Sequence, residues 1–206
     1  APKEDVINLN SEIDNDFEKI IEEASKKFEV DKDLIKAIII KGSKGDQFAI
    51  GSEETKCGEV GLMQLLPLTA KDQIFNFRKQ KGGLVSDEEE NLFVKKIFPE
   101  SIGYPIKNNC DKNNYDLLKS YTDTKTRKDL ADLDDRFDSQ KNIFTGTFYF
   151  KSLMKQFNGD QKLAIAAYNL GPVEVKNTCP TDATSCSNWD KYTSMVLANL
   201  DVIKTT

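Results

Sequence analysis

No histidine occurs among the 206 residues, and that narrows the available chemistry. Ser-His-Asp and Cys-His relays are excluded, and the commonest zinc ligand is missing. Acid–base work near neutral pH then falls to carboxylates, tyrosine, lysine or cysteine. Candidates lie in three stretches far apart in the chain. The first is Ala37-Ile38-Ile39-Ile40-Lys41-Gly42-Ser43. The second runs Gly58-Glu59-Val60-Gly61-Leu62-Met63-Gln64-Leu65-Leu66-Pro67-Leu68-Thr69-Ala70. The third is Asn142-Ile143-Phe144-Thr145-Gly146, followed by Ala166-Ala167-Tyr168-Asn169-Leu170-Gly171-Pro172. Singly, each also reads as packing: a turn into a core helix, or a packed helix with an asparagine near its end.

The four cysteines, Cys57, Cys110, Cys179 and Cys186, form no CxxC knuckle, which argues against a zinc site. No metal or organic cofactor is expected. An even count in an exported chain favours disulfides. Of the three pairings that four cysteines allow, Cys179–Cys186 closes a compact loop rich in Pro, Thr, Asp and Ser, leaving Cys57–Cys110. The competing reading is four reduced thiols in a cytosolic protein.

Helices must position these stretches. Phe17, Ile20, Ile21, Ala24 and Phe28 recur at three- and four-residue intervals, one apolar stripe on an amphipathic helix. Asp31 can cap a second helix, apolar nearly all round from Leu34 to Ile40 and therefore buried, which Gly42 and Gly45 weaken or end. Pro67 suits the first turn of a helix over about 68–80, which Gly82-Gly83 stops. A short helix is predicted over 88–97. The span 99–138 reads as a helical insertion with long loops, its periodicity weak around 115–121 and 130–137. A long core helix follows from about Ile143 to Phe157. Asn158-Gly159-Asp160 breaks it, a helix over 161–169 ends at Gly171-Pro172, and a last one covers 189–203. No segment alternates with period two for eight residues. The expected class is mainly α, with at most a small β-hairpin near 45–61. Residues 1–12 read as an irregular lead-in and 13–206 as a single domain.

In this order and at these spacings, the three stretches together resemble the soluble lytic transglycosylase family of the goose-type lysozyme-like superfamily. There the first helix ends in Glu-Ser, a GLMQ-x-x-P-x-T-A segment follows, and N-I-x-x-G and A-A-Y-N-x-G helices come near the end. The resemblance covers roughly residues 17–80 and 139–203 and leaves the middle unmatched. It implies a lysozyme-like helical fold and a groove for alternating N-acetylglucosamine and N-acetylmuramic acid. Carried over residue by residue, Gly61, Leu62, Met63 and Gln64 match the segment lining the sugar cleft, with Gln64 offering its amide to the glycan and Met63 an adaptable apolar wall. Tyr168 and Asn169 match the pair facing the reacting sugar, Ser43 the serine beside the catalytic acid, and Tyr192 a cleft tyrosine.

In that family one glutamate protonates the leaving oxygen and then takes the proton from the muramic acid 6-hydroxyl, closing a 1,6-anhydro ring. The alignment puts this acid at position 42, which is glycine. General acid–base help is worth about a hundred- to ten-thousandfold in rate, so the chain as it stands is expected to bind glycan and scarcely cleave it. Three explanations stand open: an engineered replacement, a natural glycan-binding pseudoenzyme, or a proton from another carboxylate. For the last, Glu59 leads Asp46, Glu53 and Glu54 because it lies two residues before Gly61.

The net charge of −5 argues against general nucleic-acid binding, and no apolar run is long enough to cross a bilayer. The expectation is a monomer in the cell envelope or secreted, its signal peptide removed, working on peptidoglycan strands and in some settings beside other envelope proteins. Rival readings are a non-catalytic glycan-binding module, a scaffold of an envelope machine, and a goose-type muramidase that hydrolyses the bond.

Overall fold

The computed structural model describes residues 14–52, 57–124, 126–179 and 191–205. It divides into two compact units. The terminal unit holds the residues up to Lys41 and those from Thr147 onward; the central unit is Gly42–Gly146.

In the terminal unit, α1 (Asn15–Phe28) starts at Asp14, whose carboxylate accepts from the N–H of Asp16 at 3.2 Å, and ends at Glu29 in a left-handed conformation (φ 54°). Ile21, Ala24 and Phe28 of the predicted stripe are buried, and Phe28 packs on Phe148 with ring centroids 5.5 Å apart. Helix α2 (Lys32–Ser43) is capped as its sequence requires, with the N–H of Asp33 donating to the Asp31 carboxylate at 2.9 Å. Leu34, Ile35, Ala37, Ile38 and Ile39 are all 2% exposed or less. Full burial of such side chains contributes about 1.5–3 kcal/mol each for the larger ones, which outweighs their modest helix propensity.

Helix α2 carries Gly42 in its last turn, where one glycine costs only about 1 kcal/mol, and ends at Ser43, just before Gly45.

In the central unit, Ile50 and Val60 form an antiparallel bridge, flanked by Gly51 N–H to Glu59 O (2.7 Å) and Gly61 N–H to Ala49 O (2.9 Å). The hairpin expected near 45–61 is thus reduced to isolated bridges, with no longer strand among the described residues. Pro67 opens α3 (Pro67–Gln80) as its first residue.

The helix predicted over 88–97 is a single turn, α4 (Asp87–Glu90). The reason lies in the donors that follow. The N–H of Val94 goes to Thr145 Oγ1, those of Lys95 and Lys96 to Asp135 Oδ2, and that of Phe98 to Asp134 Oδ2. Side chains remote in sequence capture the backbone that a helix would have used.

The insertion has a core. Helices α5 (Lys112–Thr124) and α6 (Arg127–Leu133) bring Leu118 and Leu130 onto Phe98, Phe137 and Val60 of the hairpin. Cys57 is joined to Cys110 by a disulfide. Cys179 is also disulfide-bonded, while Cys186 lies outside the described residues.

Helix α7 (Ser139–Gln156) begins in the central unit and continues into the terminal one. There Asn158 (φ 52°) and Gly159 (φ 84°) turn the chain. Asp160 then caps α8 (Gln161–Leu170) through the N–H of Leu163 at 3.0 Å. Gly171 ends α8 as expected, but Pro172 opens a helix the periodicity did not announce, α9 (Pro172–Thr178). Helix α10 (Lys191–Thr205) buries Thr193, Val196 and Leu200, and both α9 and α10 pack on α8. Among the described residues no helix is long and apolar enough to cross a membrane.

Candidate active site

Gly42 lies in the last turn of α2 with ordinary backbone angles, outside the left-handed glycines of this chain. A Cβ placed there would meet Gln64 Cγ at 3.1 Å and the carbonyl oxygen of Leu62 at 3.7 Å. The backbone therefore does not demand glycine, and a side chain at 42 would stand against the Gly61–Gln64 turn. Ser43 is 7% exposed, and its hydroxyl accepts from the N–H of Gly45 at 3.2 Å.

The turn itself is built with little freedom. Gly61 has φ 81°, and a Cβ there would overlap both the Arg136 carbonyl oxygen and Asn142 Nδ2. Asn142, fully buried, donates to the carbonyls of Val60 (3.0 Å) and Arg136 (2.8 Å) and accepts from the N–H of Met63 at 2.8 Å. Leu62 and Met63 are 0% and 1% exposed, and Met63 packs where a Cβ on Gly146 would otherwise sit. Their side chains thus anchor the turn from beneath, where the resemblance implied an apolar wall for the sugar. Gln64, left-handed at φ 49°, directs its Nε2 to the carbonyls of Gly61 (2.9 Å) and Ala49 (3.3 Å). The amide donors expected to serve the glycan are committed to the main chain.

Beneath the turn lies a pair that the sequence reading missed. Arg136 and Asp134 are 1% and 0% exposed. The guanidinium holds Asp134 through Nη2 (2.7 Å) and Nε (3.0 Å), while Nη1 reaches the carbonyls of Gly58 and Leu65, each at 2.8 Å. One arginine thereby fixes both ends of the 58–65 segment. The signal was present as a lone arginine among carboxylates, Asp134-Asp135-Arg136, flanked by Leu133 and Phe137.

Asp135 accepts from Lys141 Nζ (2.6 Å) and from the N–H groups of Lys95 and Lys96. Burial pushes its carboxyl up, but the Lys141 hydrogen bond and these backbone donors outweigh it, so the net shift is downward.

Glu59 is half-buried. Its carboxylate folds over Gly51, whose missing Cβ makes the room, and its Oε2 is buried with no hydrogen-bond partner. Asp46 instead accepts from the N–H of Phe48 within its own turn; Glu53 and Glu54 lie outside the described residues. Among the described residues no His, Cys, Asp or Glu cluster could hold a metal ion.

The terminal unit brings together Tyr168 and Tyr149, ring centroids 5.4 Å apart, with Phe150 6.2 Å from Tyr168. Burial, and then the neighbouring Tyr192 and Tyr149 hydroxyls, push the Tyr168 hydroxyl well above its ordinary value. Burial raises Tyr149 to about 12. The Lys41 ammonium lies 5.4 Å from the centre of the Tyr192 ring. Asn169 is exposed at the end of α8. Tyr149 was not foreseen; it sits between two phenylalanines that mark a core helix.

A helical frame of this kind is found in a solved lytic transglycosylase, an inactive mutant of Slt from Pseudomonas aeruginosa. It is 21% identical, with a TM-score of 0.53, over 91% of this chain and 24% of that one, and it defines the fold as lysozyme-like. The transglycosylase SLT domain model matches residues 19–93 and 117–186, and the chain belongs to that family. It is also 38% identical over 79 residues to the membrane-bound lytic murein transglycosylase E of Buchnera aphidicola subsp. Baizongia pistaciae, across 38% of this chain. The match spans about a third (34%) of that curated relative.

Proposed function

We infer that this chain is a peptidoglycan-binding lytic transglycosylase domain whose cleaving power is lost or nearly lost at Gly42. The observation that carries this reading is the placing of position 42. Its side-chain direction points at Gln64, so a glutamate there would stand on the segment the family uses to hold glycan. With it, one carboxyl would protonate the oxygen between N-acetylmuramic acid and N-acetylglucosamine. The carboxylate left behind would then take the proton from the muramic acid 6-hydroxyl as that oxygen closes on C1. One carbon–oxygen bond breaks, another forms, and the acid is regenerated without water. Glycine supplies no proton for the first step.

In this reading Tyr168 keeps its phenolic proton at every physiological pH and serves as a donor to the sugar, Asn169 and Tyr192 contact the strand, and Ser43 supports the residue before it. The Cys57–Cys110 disulfide suits an oxidising compartment such as the envelope or the outside of the cell.

The test is product chemistry. Purified peptidoglycan is digested with this chain and with Gly42→Glu, and the soluble fraction is read by mass spectrometry. We expect 1,6-anhydromuropeptides from Gly42→Glu and a hundredfold or greater deficit from the glycine form. A folded Gly42→Glu protein that releases none would refute the placing of the acid. A fully active glycine form would shift the proton donor elsewhere. One observation favours Glu59 for that second reading, its buried oxygen with no hydrogen-bond partner; Glu59→Gln would then abolish the activity.

A further inference from the structure

In the terminal unit, helix α2 reaches Lys41, the residue before Gly42. Its ammonium lies over the Tyr192 ring, 5.4 Å from the centre. No carboxylate pairs with it among the described residues. Lys36, Lys71, Lys141 and Lys151, half-buried like it, each hold a carboxylate at 3.2 Å or less. Lys41 departs from them in a chain whose net charge is −5, where carboxylates outnumber cations.

A ring face attracts an ammonium through its quadrupole but offers no lone pair. The N–H donors of Lys41 therefore stay open to an oxygen acceptor, and a carboxylate is the strongest match. A lysine in the last turn also suits the helix dipole. That contribution is the same whatever the ligand carries, so experiment can separate the two roles.

Tyr192 belongs to a group. After burial, Tyr192 is the next influence raising the Tyr168 hydroxyl, and the Tyr149 ring lies 5.4 Å from that of Tyr168. The cation thus stands beside the tyrosines assigned above to the glycan. Of the two sugars in such a strand, only N-acetylmuramic acid carries an acid, in the lactyl ether on O3. Where a stem peptide is attached, that acid is an amide and uncharged. On a stripped strand it is a carboxylate. The net negative charge of the protein opposes an anionic strand at long range, so a local cation is needed to favour one.

We propose that Lys41 is a specificity-determining residue that binds the free lactyl carboxylate of N-acetylmuramic acid, so that the domain prefers strands stripped of stem peptides. This rests on the glycan-binding role given above to Tyr168, Asn169 and Tyr192.

The 206-residue chain is titrated calorimetrically with a tetrasaccharide of alternating N-acetylglucosamine and N-acetylmuramic acid. It is used in three forms: with free lactyl carboxylates, with these capped as methylamides, and with stem peptides attached. The free acid should bind roughly fivefold tighter than the methylamide, as expected for one hydrogen-bonded ion pair at a half-exposed site. Lys41→Gln should remove that preference and leave methylamide binding unchanged, and Lys41→Arg should retain it. Equal binding of acid and methylamide by the unaltered chain would overturn the proposal while leaving the glycan reading intact, and needs no variant to fold. Lys41→Gln weakening both forms alike would overturn it too, as the mark of a purely structural lysine. Tightest binding of the stem-peptide form, lost in Lys41→Gln, would move the carboxylate to the peptide and refute the lactyl assignment. No binding of any form would refute the glycan reading itself, and this proposal with it.

Discussion

At the residue scale, two glycines of similar surroundings ask for opposite treatment. Gly42 has helical angles and a Cβ there would press only on the Gln64 side chain, at 3.1 Å, whereas Gly61 has φ 81° and two polar atoms where its Cβ would be. Gly61→Ala should therefore cost about 2–3 kcal/mol from backbone strain and displaced packing together, read as a lowered denaturation midpoint at unchanged m-value. Gly42→Ala gains up to about 1 kcal/mol of helix propensity against the shift it forces on Gln64, so it should move the midpoint far less than Gly61→Ala does.

The tyrosines give a second test. Tyr149 and Tyr168 titrate higher in the folded chain than the ordinary value of 10.0, chiefly because burial disfavours the phenolate. The unfolded chain thus loses these protons first. The tyrosines' contribution to stability should be level below pH 10 and fall as pH rises from 10 towards about 12, the folded value for Tyr149. Thermal melts of Tyr149→Phe and Tyr168→Phe should show a shallower alkaline decline.

At the scale of elements, the pieces legible in the sequence were those whose pattern is local. The stripe of α1, the all-round apolar α2, Pro67 at the head of α3 and Gly171 at the end of α8 each carry their own signal within one or two turns. The stretch 91–98 does not, because its donors are claimed by Asp134, Asp135 and Thr145, 36 to 51 residues away. The candidate site divided along the same line. Gly61, Gln64 and Tyr168 were legible as a pattern, while the function of Gln64 as an internal brace, and the Asp134–Arg136 pair beneath it, depend on contacts no local pattern encodes.

Arg136→Met should accordingly cost about 3–5 kcal/mol, because it strands the buried Asp134 carboxylate and the carbonyl of Gly58, while that of Leu65 keeps the Val60 N–H. Asp135 adds an acid limb. Its folded value is depressed, so the unfolded chain binds the proton first, and stability falls as pH drops through 3.8 and below. Asp135→Asn should flatten that limb in denaturation midpoints taken between pH 5 and 2.

For the whole molecule, the central unit depends on two segments that sequence kept apart, the hairpin around Val60 and the insertion carrying α5 and α6. Their shared core is small: Val60, Phe98, Leu118, Leu130 and Phe137, with partly buried neighbours such as Phe48 and Ile50. Tyr115 adds one hydrogen bond, its hydroxyl to Gly51 O at 3.3 Å. The Cys57–Cys110 disulfide crosses the same junction and closes a loop with a sequence separation of 53. On the chain-entropy account, a loop of that length restrains the unfolded chain by about 4 kcal/mol. So small a core has little to replace it with. Cys57→Ser/Cys110→Ser should lose about 2–4 kcal/mol of unfolding free energy in urea, with the larger loss in amide protection falling on α5, α6 and the hairpin. Helices α8, α9 and α10, which pack within the terminal unit, should keep theirs. Uniform loss of protection across both sets of helices would show that the disulfide holds the entire chain and not this junction.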